Sequence, residues 1–276
     1  MTRDGLHDLG ELHLAAALGV PRVALFARVG STMDEAHELA ASGTSAGTIV
    51  IADEQTAGRG RGGRRWNSAA VQGLWITLLE RPDTGSGLEV LSLRLGVRVA
   101  PVLDRFTDGC VHVKWPNDLF VGSRKLAGIL VEARWRGRNL EWVAIGIGIK
   151  LAPSTAVPNS AAVRPGVSRL ELLDALVPAI RAAAAAEGSL SPAELAEFDA
   201  RDYARGRHCA LPADGVAEGI TSDGALVIRS SGGTARFRSG SLQFAGEIRL
   251  SWRSMWGTRR RRSDSAMDSW CAIVGA

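Results

Sequence analysis

The chain has 276 residues, 46% of them hydrophobic, so it can bury the core of one large domain and a smaller one. The net charge of +4 arises after residue 248, because the preceding residues hold 27 basic and 27 acidic side chains. A neutral body of this kind does not favour binding to DNA phosphates. No run of about 18 apolar residues is present, which excludes a membrane-spanning helix.

The N-terminal segment and the cysteines predict a cytoplasmic protein. Residues 1–10 are charged and lack an apolar stretch, so no signal peptide is expected. Residues 1–20 are too short for a helix-turn-helix domain. The three cysteines, Cys110, Cys209 and Cys271, stand far apart, which argues against a disulfide framework or a zinc site.

The first predicted elements are a strand over residues 22–28 and a helix from Ser31 or Thr32 to about Gly43. Ser31 and Thr32 are both suitable N-caps, and Glu35 stands three residues after Thr32, which is the spacing of a capping box. Ordinary helices often begin this way. A helix N-terminus with two hydroxyl groups can also donate hydrogen bonds to a polar ligand.

A buried strand over residues 48–52 leads into a cationic loop. Residues 58–65 contain four glycines and four arginines, and Trp66 follows them. Glycine lets the backbone approach a ligand closely, and the guanidinium fork matches phosphate and carboxylate oxygens. The loop lacks the Gly-Lys-[Ser/Thr] of a P-loop. It predicts an anion site, although a flexible surface loop or an RNA-binding segment has a similar composition.

The middle of the chain is predicted to alternate between strands and a helix. Strands are expected over residues 73–80 and 139–151, and an apolar helix over residues 88–106. Gly146 and Gly148 interrupt the second of these strands. Glycine inside a strand indicates close approach of another backbone or of a ligand.

A lysine-containing segment stands between that helix and the last strand. The apolar, β-branched run 125–133 predicts a buried strand, and a turn near Gly122 is expected to place Lys114 and Lys125 on neighbouring strands. These two residues and Lys150 are the only lysines among 33 basic residues. An ammonium is a compact charge whose pKa shifts on burial, so lysines confined to one region indicate a site that needs amines.

Helices over residues 168–187 and 191–203 complete the first predicted domain, which spans residues 1–204. Short strands separated by Asp-Gly and Gly-Gly turns then predict a small β-barrel domain over residues 205–248. Residues 249–276 carry six arginines and three tryptophans without a clear period. This basic tail is expected to be disordered or to act as an interaction segment.

Taken together, the motifs resemble those of the biotin–protein ligases, in the form without an N-terminal DNA-binding domain. In chain order they are Gly30-Ser31-Thr32, Gln55 with residues 58–63 and Trp66, the Lys-Trp-Pro-Asn-Asp of residues 114–118, the Arg-Lys-Leu-Ala-Gly-Ile-Leu-Val-Glu of residues 124–132, and the Ile-Gly-Ile-Gly-Ile of residues 145–149. The resemblance covers about residues 22–248. The combination is far more specific than any single motif.

The resemblance implies an α+β fold: a class II synthetase-like mixed or antiparallel sheet with flanking helices, plus a small C-terminal SH3-like β-barrel. It implies an ATP-dependent enzyme that forms biotinyl-5′-AMP and pyrophosphate. The biotin then passes to a lysine of the carrier domain of acetyl-CoA carboxylase or a related carboxylase. ATP and Mg²⁺ are the implied cofactors, without an evident protein metal site. The implied state is a monomer or weak homodimer that binds neither DNA nor membranes.

The resemblance also implies three overlapping groups of site residues at the matching positions. The implied catalytic residues are Lys125, Arg59 and Arg61. The implied biotin-binding residues are Ser31, Thr32, Met33, Gln55, Arg59, Gly60, Arg61, Lys125 and Gly128. The implied nucleotide-binding residues are Arg64, Trp66, Lys114, Asn117, Asp118 and Lys150. The many cations suit a reaction in which two anions must meet.

Three departures from the family pattern leave alternatives open. Met33 and Lys150 stand where the family usually has Asn, and residues 67–69 replace an aromatic-Ser-Pro segment. Met33 removes an amide from the biotin end of the site. Lys150 either adds charge at the nucleotide end or points into solvent. A non-catalytic biotin-binding paralogue and a lipoate–protein ligase are the competing interpretations.

Overall fold

The structure, a computed structural model, describes residues 6–153 and 160–245 and the backbone of Cys271–Ala272. Its helices are α1 (Leu6–Ala17), α2 (Thr32–Ala41), α3 (Leu91–Asp104), α4 (Arg169–Ala184) and α5 (Pro192–Arg201), with short 3-10 turns at Arg61–Gly63 and Leu88–Val90. The strands of the first part of the chain are β1 (Val23–Val29), β2 (Thr48–Gln55), β3 (Gly73–Glu80), β4 (Val111–Lys114), β5 (Asp118–Val121), β6 (Arg124–Arg136) and β7 (Asn139–Lys150). The remaining strands are β8 (His208–Leu211), β9 (Gly215–Ile220), β10 (Leu226–Ser230), β11 (Gly233–Phe237), β12 (Gln243–Phe244) and β13 (Cys271–Ala272).

A large mixed sheet organises the first part of the chain. Its strand order is β1-β2-β3-β7-β6-β5-β4, and β13 pairs with β6. The β1–β2 pair is parallel, and all the other pairs of this sheet are antiparallel. The mixed sheet with flanking helices confirms the α+β fold predicted from the sequence.

The alternation of side chains along β7 gives the sheet two different faces. Ile145, Ile147 and Ile149 are buried in the main core, which also contains residues of α1, α3 and α4. Burial of each isoleucine contributes about 2 kcal/mol. Gly146 and Gly148 lie on the opposite face, which α2 covers only in part. One face therefore holds the core, and the other is left open for a site.

Serine caps define where three helices begin. Ser31, rather than Thr32, caps α2, and its hydroxyl accepts a hydrogen bond from the backbone N–H of Met33. The predicted capping box of α5 is present, with Ser191 and Glu194 exchanging side chain and backbone hydrogen bonds. A further capping box begins α4.

The C-terminal part of the chain forms a separate antiparallel sheet of five strands, in the order β11-β10-β9-β8-β12. The indole N–H of Trp115 donates to the carbonyl of Gly224 at 3.0 Å and joins this sheet to the first part of the chain. The prediction for residues 249–276 falls outside the described residues, apart from the β13 pairing. None of the helices in residues 6–153 and 160–245 is long and apolar enough to cross a bilayer.

Two features differ from the sequence-based expectations. Helix α1 was not predicted, and Gly10, with φ 74°, interrupts its regular geometry. Lys114 and Lys125 do not lie on neighbouring strands, because β5 separates β4 from β6. The chain reverses both before β5 and at Gly122, so two consecutive hairpins form where one was expected. A strand of only four residues is too short to give a clear periodic signal.

Candidate active site

Three glycines leave the open face of the sheet without side chains. Gly128 of β6 pairs with Gly148 of β7, and Gly146 precedes Gly148 by two residues on the same strand. A Cβ atom on Gly148 would lie 2.4 Å from Nε1 of Trp66, and one on Gly128 would lie 2.9 Å from the same indole. A Cβ atom on Gly146 would lie 2.8 Å from Cε of Met33. The glycines are therefore required for the close approach of these two side chains.

Hydroxyl and amide groups gather at the N-terminus of α2. The Gln55 side-chain oxygen accepts hydrogen bonds from the backbone N–H of Thr32 at 2.9 Å and from its hydroxyl at 3.1 Å. Thr77 donates to the Thr32 hydroxyl at 2.9 Å, and the Gln55 amide donates to Ser68 at 2.7 Å. Met33 is buried beside this cluster. The arrangement combines a polar rim with an apolar wall, which suits a ligand with a compact polar head.

Arg59, the first arginine of the cationic loop, bridges two carboxylates. It donates to Asp34 and to Glu132, in each case at 2.5 Å. The Glu132 carboxylate is buried, whereas that of Asp34 is half exposed. This pairing fixes the start of the loop against α2 and β6.

Arg61 and Arg64 connect the loop to the C-terminal sheet region. Arg61 donates to the carbonyl of Gly240 at 2.8 Å, and Arg64 donates to the Ser241 hydroxyl. The other terminal nitrogen of Arg61, Nη1, is buried and has no hydrogen-bond partner among the described residues. Burial and the neighbouring Arg64 lower the pKa of Arg61. A buried cationic donor without an acceptor is suited to receive an anion.

Lys125 and Asp118 place opposite charges beside Trp66. The Lys125 ammonium lies 2.6 Å from the Asp118 carboxylate and 4.9 Å from the centre of the Trp66 indole. The adjacent Asn117 donates its amide N–H to the carbonyl of Ile129 at 2.6 Å, which fixes the turn between β4 and β5. The predicted catalytic lysine therefore lies next to the loop and the glycine face.

The other two lysines have different surroundings. The Lys114 ammonium lies 4.9 Å from the ring centre of Phe244, 5.3 Å from that of Phe120 and 5.8 Å from that of Tyr203, which are cation–π distances. Lys150 is only 4% exposed, so the expectation that it points into solvent is wrong. Burial and the charge of Lys125 lower its pKa.

These groups surround one cavity of about 290 Å³. It brings together the site residues predicted from the sequence: Ser31, Thr32, Met33, Gln55, Arg59, Gly60, Arg61, Arg64, Trp66, Lys114, Asn117, Asp118, Lys125 and Gly128. Lys150 is not among the lining residues and lies against Trp66. Its nucleotide-binding role stays a prediction, as do the individual roles of the others.

Several lining residues were not predicted from the sequence as parts of the site. They are Trp75 and Thr77 of β3, Leu130 of β6, and Gly240, Ser241, Leu242 and Gln243 of the C-terminal part. The period of two in β3 could have shown that Trp75 and Thr77 share one face. No local pattern indicates that residues 240–243 close the cavity. Among the described residues, no group of three or more His, Cys, Asp or Glu side chains could hold a metal ion.

Comparison with known proteins identifies the family. Residues 25–150 match the biotin/lipoate A/B protein ligase family. A bifunctional ligase/repressor BirA from Bacillus spizizenii is 39% identical over 45% of this chain, and the match spans 38% of that relative. The chain thus spans less than two-fifths of the length of such longer relatives. A biotin--[acetyl-CoA-carboxylase] ligase from Paracoccus denitrificans is 32% identical over 80% of this chain and 100% of its own length.

Solved structures agree with the sequence matches. A biotin protein ligase from Aquifex aeolicus, in complex with biotin and ATP, has a similar fold, with a TM-score of 0.68 and 24% identity over 81% of this chain and 99% of that chain. A biotin protein ligase from Leishmania major, in complex with biotinyl-5-AMP, has a TM-score of 0.56 and 25% identity over 79% of this chain and 99% of that chain. Fold, full-length relative and family match agree, and the chain belongs to the biotin/lipoate A/B protein ligase family.

Proposed function

We propose that the chain is an ATP-dependent biotin–protein ligase. It activates biotin as biotinyl-5′-AMP and transfers it to a lysine of a carboxylase carrier domain. The relative from Paracoccus denitrificans, matched over its whole length, is named for this activity. We further expect a cytoplasmic monomer or weak homodimer that does not bind DNA.

One observation carries the proposal: a buried cationic donor without a partner lines the same cavity as the polar groups at the N-terminus of α2. The buried Nη1 of Arg61 has no partner among the described residues, and Lys125, which is paired with Asp118, lies against Trp66. A substrate pair with two anionic groups, a carboxylate and a triphosphate, would satisfy these donors. The hydroxyl and amide cluster around Thr32 supplies the polar end for the biotin head group.

The first chemical step is adenylation. An oxygen of the biotin carboxylate attacks the α-phosphorus of ATP, the bond from that phosphorus to the bridging oxygen breaks, and pyrophosphate leaves. Arg61 and Lys125 offset the negative charge that builds up between the two anions. Such preorganised donors contribute about 3–4 kcal/mol each to the stabilisation of a transition state.

The second step is acyl transfer. The neutral amine of a carrier lysine attacks the carbonyl carbon of the mixed anhydride, an amide bond forms, and AMP leaves with the bonding electron pair. The amine loses its proton to solvent or to the departing phosphate. Mg²⁺ would bind through the ATP phosphates, as it commonly does at nucleotide sites, and would offset part of their negative charge.

The proposal is tested by incubating the purified protein with biotin, MgATP and a biotin carboxyl carrier domain. We expect a mass increase of the carrier that requires both biotin and ATP, and a biotin-dependent exchange of pyrophosphate into ATP. Tight binding of biotin without any exchange would instead identify a non-catalytic paralogue. Labelling with lipoate in preference to biotin would identify the other alternative.

A further inference from the structure

A chain of hydrogen bonds runs from the sheet to the cationic loop on the side of α2. Trp142 of β7 contacts His37 of α2, and His37 contacts Glu132 of β6. Glu132 contacts Arg59, which also pairs with Asp34. His37 and Trp142 do not line the cavity, so they can act on it only through the residues that do.

The partner of each ring nitrogen fixes the tautomer of His37. The indole N–H of Trp142 can only donate, and it lies 2.9 Å from Nδ1 of His37. Nδ1 must therefore accept and carry no proton, since two donors would otherwise face each other. The proton is on Nε2, which lies 3.0 Å from Oε2 of Glu132 and donates to it. The imidazole is thus a neutral, oriented donor.

This donor decides how Glu132 is presented to the loop. Because Oε2 accepts a hydrogen bond from His37, the other carboxylate oxygen, Oε1, is turned towards Arg59. The Arg59 guanidinium donates to Oε1 at 2.5 Å. His37 and Glu132 are 3% and 6% exposed, so their contact is shielded from water, whereas the Arg59 side chain is 36% exposed. The second carboxylate, Asp34, has a half-exposed side chain, and exposed ion pairs hold a side chain only weakly.

Charged groups surround the contact between His37 and Glu132. The carboxylates of Glu132 and Asp34 face the single guanidinium of Arg59, and the Arg81 guanidinium lies 5.6 Å from the centre of the Trp142 ring. With a neutral imidazole, Arg59 is the only cation that forms an ion pair with Glu132 in this chain of contacts. A cationic imidazole would compete with Arg59 for that charge.

We propose that His37 is a positioning residue for Arg59: Trp142 fixes its tautomer, and its Nε2–H orients Glu132, which in turn holds Arg59 at the edge of the cavity. This inference rests on the proposed function and on the biotin-binding role that the family resemblance implies for Arg59. It adds a residue that has no contact with the substrates. The backbone of Arg59 is held by its bridge to Arg65 within the loop, and the inference adds that its side chain is oriented by buried residues of α2, β6 and β7.

The test compares His37→Leu with His37→Gln. The Gln amide N–H can still donate to Glu132, whereas Leu cannot. We expect His37→Leu to raise the dissociation constant of biotin, measured by calorimetry with a non-hydrolysable ATP analogue, by about tenfold, and His37→Gln to change it by less than about threefold. In an Arg59→Ala background, His37→Leu should cause no further loss. Additive losses in this double-mutant cycle would show that His37 does not act through Arg59.

Two spectroscopic readouts are independent of ligase activity. Nitrogen NMR at pH 7.5 should show His37 protonated at Nε2 alone, and Trp142→Phe should produce a mixture of tautomers. Trp135→Phe, on β6 and away from His37, is the matched control. The guanidinium signals of Arg59 should be narrow in the wild type and broadened in His37→Leu.

The outcomes separate the two proposals. Unchanged Arg59 signals in His37→Leu, or a wild-type His37 protonated at Nδ1, would overturn the positioning role whatever the ligand. A wild type that has the expected His37 and Arg59 signals but binds no biotin would overturn the proposed function and leave the positioning role supported.

Discussion

The Lys150 ammonium lies 5.7 Å from the centre of the Trp66 indole, and Lys150 is almost fully buried. Lys125 lies on the same indole at 4.9 Å. Trp66 is therefore held between the glycine face of the sheet and two amines. The orientation of this indole controls the shape of the cavity beside it.

The burial of Lys150 predicts a stability change for Lys150→Met. Burial and Lys125 lower the pKa of Lys150 below its ordinary value of 10.5, so protonation of this amine is less favourable in the folded state than in the unfolded state. Lys150→Met should raise the Tm at pH 7.5 by about 2–4 °C. For a chain of this size, that shift corresponds to a gain of roughly 1 kcal/mol in the free energy of unfolding. The gain should shrink as the pH approaches 10, where the unfolded state also begins to lose the proton. Arg124→Met, at an exposed cation, is the control and should show no such pH dependence.

Lys125→Ala should severely impair adenylation and leave the fold intact. The lysine lies against Asp118 and Trp66 in the cavity, where we propose that the carboxylate and the α-phosphate meet. Loss of one such donor should reduce biotin-dependent pyrophosphate exchange by about 10²–10³-fold. Circular dichroism and the Tm should remain close to those of the wild type, as should the activity of Arg124→Ala. Exchange at a near wild-type rate in Lys125→Ala would contradict this assignment.

The cationic loop should become protected when ligands bind. Gly62 and Gly63 have φ values of 62° and 71°, so the turn at the tip depends on glycine. The arginines repel one another until an anion arrives. Trypsin should cleave near Arg61 in the protein alone and more slowly with biotin and MgATP. Equal cleavage under both conditions would show that the ligands do not order the loop.

Asp202→Asn should stabilise the protein at neutral pH. Burial raises the pKa of Asp202 to about 6, and its Oδ2 is buried without a hydrogen-bond partner among the described residues. Between the unfolded value of 3.8 and about 6 the folded state retains a proton that the unfolded state loses, so stability falls as the pH rises through this window. We expect Asp202→Asn to increase the free energy of unfolding, measured by urea denaturation, by about 1–2 kcal/mol at pH 7.5 and to leave it unchanged below pH 4.

Asp214→Asn, at an exposed carboxylate, provides the control for that measurement. It should leave the pH dependence of stability as in the wild type. If Asp202→Asn and the wild type lose stability in parallel between pH 4 and 7.5, Asp202 does not titrate in the way described.

Val71→Gly should relieve backbone strain. Val71 is β-branched and has φ 56°, a conformation that costs about 1–3 kcal/mol for such a residue. Glycine adopts it freely and loses only about 0.5–1 kcal/mol through the greater entropy of the unfolded chain. The net gain in the free energy of unfolding should be about 0.5–2 kcal/mol. Val71→Ala, which keeps a Cβ atom but not the branch, should gain less, and a loss of stability in Val71→Gly would exclude strain at this position.

The sequence by itself determined which residues are candidates for the site and much of the local structure around them. The alternation of isoleucine and glycine in β7 indicates a core face and an open face, because successive side chains of a strand point to opposite sides. The capping serines locate the start of α2 and α5. The composition of residues 58–65 indicates an anion-binding loop. All of these signals lie within a few consecutive residues.

Only the tertiary structure decided which of these pieces meet. His37 and Glu132 are 95 residues apart in the chain, and Arg64 and Ser241 are 177 apart, so no local pattern could pair them. The separation of Lys114 from Lys125 by β5, and the burial of Lys150 against Trp66, likewise depend on strand order and register. The physical reason is that long-range contacts are fixed by the packing of the sheet with its helices and with the C-terminal part, whereas propensity and periodicity act only between near neighbours along the chain.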